Sequence, residues 1–239
     1  MTTPAERKRS VRAVAQFQSN TAINAILAGT YVGVSAPKMV TQGAERAARK
    51  SGQGEDKYWT LKRARLAVEQ MRASRIAPGS EAPQTLFRGT LLPWPTTVFT
   101  GNGHGAAPKS LALDPAVTDA DMLHMARCGA PVKVTHPLSC TSDSRIAREF
   151  ADAAARRSRR RGWVHSFSAG LELCDVVGVN ETLAGAGGPS AIASLAQREK
   201  EYVLLPPAPA DAPGAPCLWM HLVSACERDR RAVWRIVRA

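Results

Sequence analysis

The chain has 239 residues, 44% of them hydrophobic and 22% charged, a balance that excludes wholesale disorder and suits one substantial domain. Its 32 Lys and Arg against 20 Asp and Glu leave a formal charge of +12, a field that favours anionic partners such as nucleic acid, acidic proteins or phosphorylated small molecules. Five scattered cysteines (Cys128, Cys140, Cys174, Cys217, Cys226) form no C-x-x-C pair, so neither a disulfide framework nor a zinc cluster is expected, and no metal is assigned.

The first eighty residues read as helical. Pro4 opens a run in which Val11, Val14, Ala15, Ala22, Ile23, Ile26 and Leu27 recur at helical spacing until Gly29. A second segment spans Ala36 to Lys50. A third starts near Asp56, carries Leu61, Ala64, Leu66, Val68 and Met71 as its apolar stripe, and breaks at Pro78-Gly79. Their cations (Arg7, Lys8, Arg9, Arg12, Lys62, Arg63, Arg65, Arg72) are expected to face solvent. The apolar run from Thr21 to Ala36 is interrupted by Asn24, Gly29 and Gly33, so no transmembrane segment is expected. No secretory pattern follows the basic start. A soluble protein acting in the cytoplasm is the simpler expectation.

Beyond residue 80 the period changes to that of short strands bounded by Gly or Pro: Thr85 to Thr90, Val132 to Ser139, Trp163 to Ser168, Cys174 to Val179, Glu199 to Leu205, Leu218 to Ser224 and Ala232 to Val237. One helix lies among them, capped by Ser142 or Asp143, with Ile146, Ala147, Phe150, Ala151 and Ala154 on one face. Loops rich in Gly and Pro span Pro93 to Pro115, Leu183 to Ser190 and Pro206 to Pro216. Helices first and mainly antiparallel strands after predict an α+β fold.

Three segments carry chemistry. Leu86-Phe87-Arg88-Gly89-Thr90 sets a guanidinium on an apolar strand, followed by glycine; the planar fork suits bidentate capture of phosphate, whereas a lone arginine on an edge strand also simply snorkels. His136-Pro137-Leu138-Ser139-Cys140-Thr141-Ser142-Asp143 runs from a strand into the capped helix. Capping explains Ser142 and Asp143 but not Ser139. Gln197-Arg198-Glu199-Lys200-Glu201-Tyr202-Val203-Leu204-Leu205 places Glu199, Glu201, Val203 and Leu205 on one strand face by the period of two. Paired carboxylates there suit acid–base or cation-stabilising work, and solvation at a loop end is the plainer alternative.

Arginine on a first strand, then S-x-T before a helix, then E-x-E leading into an apolar strand resembles the R-S-E class of mono-ADP-ribosyltransferases. That family includes cholera-toxin-like and binary-toxin-like enzymes, phage transferases and injected effectors of plant pathogens. The likeness spans residues 56–239, a catalytic domain after a helical extension at 1–55. Spacings of 51 residues from Arg88 to Ser139 and 62 from Ser139 to Glu201 suit it, as do Ala147 and Phe150 in the following helix. The resemblance implies two small, roughly perpendicular antiparallel sheets enclosing a cleft for NAD, which is a substrate. It implies that Arg88, with Gly89, Ser139 and Thr141, binds NAD; that Glu201 stabilises the positive charge developing on the ribose; and that Ser139 steadies Glu201. It further implies that Glu199 activates an arginine of a target protein, and the basic charge points to an acidic or nucleic-acid-associated partner.

Two registers stay open. Cys140 takes the serine's place if the motif is shifted by one. Gln197-Arg198-Glu199 is a rival to the E-x-E pair, with Glu199 catalytic and a different acceptor. A basic nucleic-acid- or ribosome-associated module on a vestigial transferase fold is the reading from another class, though 5% aromatic residues offer few stacking platforms. Transfer to nucleic acid or water is the third. Gly101-Asn102-Gly103-His104-Gly105 reads as a flexible insertion more than a phosphate cradle, and Arg156 to Arg161 as a solvated helix end. His136 and His165 are candidates to reach the cleft, but the five isolated histidines form no metal-ligand pattern.

Overall fold

Thr3 and Glu6 close a capping box: the Thr3 N–H and hydroxyl donate to Glu6 Oε2 at 2.7 and 2.8 Å, and the Glu6 N–H returns to Thr3 Oγ1 at 3.3 Å. With Pro4 at the first helical position, this starts α1, Pro4–Ser19. α2, Leu61–Arg72, packs on it, with Ser10 Oγ at 2.6 Å from Ser74 Oγ and 3.4 Å from Met71 O. The computed structural model describes residues 3–19, 61–77, 82–90, 100–101, 109–110, 123–124, 126–127, 131–134, 136–158, 162–184, 197–208 and 218–238. The stretch of α1 expected after Ser19, the helix expected at Ala36 to Lys50, the start near Asp56 and the glycine run 102–105 lie outside them.

The strands are β1 Leu86–Thr90, β2 Thr100–Gly101, β3 Lys109–Ser110, β4 Pro131–Val134 and β5 Leu138–Thr141. After α3, Ser144–Ser158, come β6 Trp163–Ala169, β7 Asp175–Gly178, the short α4 Val179–Ala184, β8 Glu201–Leu205, β9 Leu218–Cys226 and β10 Arg231–Val237. Among the described residues, β2 and β3 pair with each other, and the other eight strands form one ladder in the order β4-β9-β10-β6-β1-β5-β8-β7. Every pairing in that ladder is antiparallel except β10 with β6. The fold is α+β, as expected. The two expected sheets are joined edge to edge, and the join is thin: β1 meets β5 through the single pair Phe87↔Thr141.

Several boundaries differ from expectation for local reasons. The strand expected over Val132 to Ser139 is two strands. Pro137 has no N–H to give a ladder, and the chain leaves the β9 edge to re-enter between β1 and β8. Glu199 is not on β8: residues 197–199 form a helical turn, and Lys200 at φ 47° swings the chain into the strand. α4 occupies part of the expected loop from Leu183. It buries Val179, Thr182 and Leu183, and Thr182 Oγ1 donates to Gly178 O at 2.7 Å.

Side chains of β7 and β8 are buried on both faces of the ladder and alternate between two clusters. Val177, Val203 and Leu205 join Ala13, Val14, Phe17, Ala64, Ala67, Val68 and Met71 beneath the two helices. Val176 and Leu204 face the other way, into a cluster with Leu86, Leu138, Trp163, Phe167, Met220 and Trp234 that draws on both parts of the ladder. α1 therefore shares a core with β8. Arg7, Lys8, Arg9, Arg12 and Arg65 are exposed as expected, but Arg72 is buried. Its guanidinium donates to Asp175 Oδ2 on β7 at 2.5 Å, to Glu69 at 3.1 Å and to Pro207 O at 3.2 Å. Paired on all sides, it ties α2 to the sheet.

Candidate active site

Three strands distant in sequence bring Arg88, Ser139 and Glu201 together. β5 and β8 run in the register Ser139↔Val203 and Thr141↔Glu201, so Thr141 stands opposite Glu201 and Ser139 lies diagonal to it on the same face. The Ser139 hydroxyl donates to Glu201 Oε1 at 2.5 Å, and Glu201 is 6% exposed. From β1, Arg88 Nη1 donates to Ser139 O. Burial pulls the Arg88 guanidinium below its ordinary value, and Glu201 nearby opposes that pull. A desolvated cation and a desolvated carboxylate thus share one hydroxyl-bearing residue between them.

Cys140 points away from this bond and packs in the apolar cluster. Desolvation pushes its thiol up to about 12, so it is no nucleophile. Gly89 has a packing reason to be glycine: a Cβ there would lie 1.9 Å from Ala147 O and 2.7 Å from Ala151 N, so only glycine lets α3 lie on β1. Phe150, on the same helix as Ala147, is 46% exposed. Of the two histidines, His165 is absorbed by the core. Trp234 Nε1 donates to its Nδ1 at 3.0 Å, which leaves the proton on Nε2, facing Thr90 Oγ1 at 2.9 Å. His136 is buried, and desolvation reinforced by the Arg88 charge holds it down to about 3, hence neutral.

The turn before Glu201 is stitched to the β5–α3 linker. Thr141 Oγ1 donates to Glu199 O at 2.7 Å and accepts the Asp143 N–H at 3.1 Å. The Ser142 N–H donates to Lys200 O at 3.2 Å. Asp143 caps α3 through the Arg145 N–H at 3.0 Å and takes Lys200 Nζ at 3.1 Å. Its carboxyl is held well below the usual range by bonds from Arg145 and Lys200. Glu199 is half-buried, and desolvation raises its carboxyl above the ordinary value. From the sequence Asp143 reads as a cap only and Lys200 has no role, because no local signal marks a lysine for a left-handed turn.

Among the described residues, no cluster of His, Cys, Asp and Glu is suited to a metal, and no helix is long and apolar enough to cross a membrane. The side chains of the tract at 156–161 lie outside the described residues.

No protein-family model matches the sequence, and no curated protein matches it. Among solved structures, the chain is similar to ADP-ribosyltransferase Vis, in complex with the M6 inhibitor at 11% identity and a TM-score of 0.43, covering 100% of this chain and 75% of that one. The complex of Vis with agmatine matches at 13% and 0.42, covering 100% and 77%. ADP-ribosyltransferase HopU1 of Pseudomonas syringae pv. Tomato DC3000 matches at 12% and 0.39, covering 98% of each chain.

Proposed function

We propose that this protein is a mono-ADP-ribosyltransferase that moves ADP-ribose from NAD to an arginine of a target protein and releases nicotinamide. The observation that carries this reading is the bond from the Ser139 hydroxyl to Glu201 beside the Arg88 guanidinium, three residue types drawn from three strands into one part-buried cluster. The chemistry of the donor set fits NAD. Arg88 offers a desolvated, planar fork to a phosphate. Glu201 accepts from a ribose hydroxyl and stabilises positive charge as nicotinamide departs, and Ser139 fixes its carboxylate for that task. Glu199, on the stitched turn, aligns the acceptor and takes its proton. Its raised pKa suits a base better than an ordinary surface carboxylate does. The Ser139–Glu201 bond favours Glu201 over Glu199 as the residue at the scissile bond, and the Glu-x-Glu pair favours arginine as acceptor.

The test is incubation with labelled NAD and a cell lysate, or with agmatine as a small guanidino acceptor, following nicotinamide release and label together. Protease-sensitive label on protein and label on agmatine are expected. Label removed by nuclease would move the acceptor to nucleic acid. NAD left intact by a protein that binds RNA would replace the enzyme with a basic binding module.

A further inference from the structure

Three consecutive linker residues hold the turn that carries Glu199. Thr141 bonds the Glu199 carbonyl, Ser142 the Lys200 carbonyl and Asp143 the Lys200 ammonium. Two of these ties use only groups that any β5–α3 linker with a hydroxyl would offer. The third requires this particular pair. Lys200 sits at φ 47°, where glycine is the default and a lysine is strained, and its ammonium reaches 3.1 Å from Asp143 Oδ2. Capping α3 needs only Asp143 Oδ1, which accepts the Arg145 N–H at 3.0 Å, and leaves Oδ2 to receive Lys200 Nζ and Arg145 Nη2. Lys200 lies between Glu199 and Glu201, so its backbone angles set the direction of the Glu199 side chain relative to the rigid strand that holds Glu201.

We infer that the Asp143–Lys200 pair is a positioning latch for Glu199, and that it sets how far the enzyme favours the guanidino acceptor over water. This rests on the proposed transferase reading and assigns two residues that touch neither NAD nor acceptor. Releasing the latch lets the Glu199 turn wander while Ser139, Glu201 and Arg88 stay on their strands. Transfer needs an aligned guanidinium and a base; water attack on the ribose needs far less alignment.

The experiment compares Asp143→Asn, Lys200→Met, the double variant and Lys200→Arg with the wild-type chain. Asparagine caps a helix about as well as aspartate, so Asp143→Asn keeps α3 while removing the charge that holds Lys200. For each protein, nicotinamide release in the absence of acceptor and labelling of agmatine are measured, with KM for agmatine. Each single variant is expected to keep nicotinamide release near wild type and to lose transfer on the order of tenfold, short of the ~100-fold that a misplacement of about 1 Å can cost, chiefly through KM for agmatine. The double variant should be no worse than either single, and Lys200→Arg should restore transfer. A change in both activities by the same factor, or additive losses in the double variant, would overturn the latch while leaving the transferase reading intact. A wild-type chain that neither releases nicotinamide nor labels agmatine sinks the transferase reading, and the latch with it.

Discussion

Arg88 and Glu201 are desolvated together, so each should respond to loss of charge or geometry differently. Arg88→Lys keeps the positive charge but replaces a fork with a point, and NAD affinity by calorimetry should weaken by about 1.5–3 kcal/mol, the worth of a charged hydrogen bond. Unchanged affinity would remove Arg88 from the site. Glu201→Gln keeps the shape and loses the charge, so nicotinamide release should fall by ~100- to 1000-fold with or without acceptor. Glu199→Gln should separate the activities: agmatine labelling is lost while nicotinamide release largely persists. The raised Glu199 carboxyl adds a pH signature. Its basic form appears only above that raised value, so transfer should decline on acidification at a higher pH than an ordinary carboxylate would impose. Hydrolysis of NAD without acceptor should not share that limb. Identical acid limbs for both activities would take Glu199 out of proton transfer.

At the scale of elements, the site depends on how α3 seats on β1. Gly89 and Gly162 both pass beneath the helix, and a Cβ at Gly162 would lie 2.2 Å from Ala151 O. Arg148 on α3 reaches Gly162 O at 3.3 Å and Asp229 O at 2.9 Å, which ties the helix to the β9–β10 turn. Gly89→Ala should therefore lift α3 and destabilise the fold by about 1–3 kcal/mol or more, as overpacking does. The shift moves Asp143 and the linker with the helix, so urea unfolding should show the loss and agmatine transfer should fall more than nicotinamide release. A stable variant with wild-type transfer would mean that α3 and the linker move independently of each other.

For the molecule as a whole, acid stability should bear the mark of His136. It is 2% exposed and held down to about 3 from its ordinary 6.5. The unfolded chain therefore binds this proton first as pH falls. Stability contributed by the neutral ring is complete above about 6.5 and is lost from there downward, at up to about 1.4 kcal/mol per pH unit, until the folded value is reached. Unfolding free energies from urea titrations between about pH 7 and pH 5 should slope less in His136→Asn than in the wild-type chain. Parallel slopes would show that the buried ring titrates in the folded protein as it does in the unfolded one.

Much of this molecule is written locally. The cap at Asp143 needs only neighbouring residues, and the sequence alone offers it, beside Ser142, before α3, just as apolar runs bounded by Gly or Pro mark β1, β8, β9 and β10; the capping box at Thr3 and Glu6 is as local but emerges only in the structure. Arg88, Ser139 and Glu201 stood out for the same reason: a charge or lone hydroxyl on an apolar strand is legible without a partner. What the strands do with these residues was decided by tertiary pairing. Only the β5–β8 register, across 62 residues, places the Ser139 hydroxyl on Glu201 and turns Cys140 into the core. Only a carboxylate on β7 makes a buried place for Arg72, and ties from the β5–α3 linker join the Lys200 N–H bond to Gln197 O around the left-handed turn that leaves Glu199 off the strand. Periodicity describes which way a side chain points from its own backbone. It carries no information about which distant group will be there to meet it.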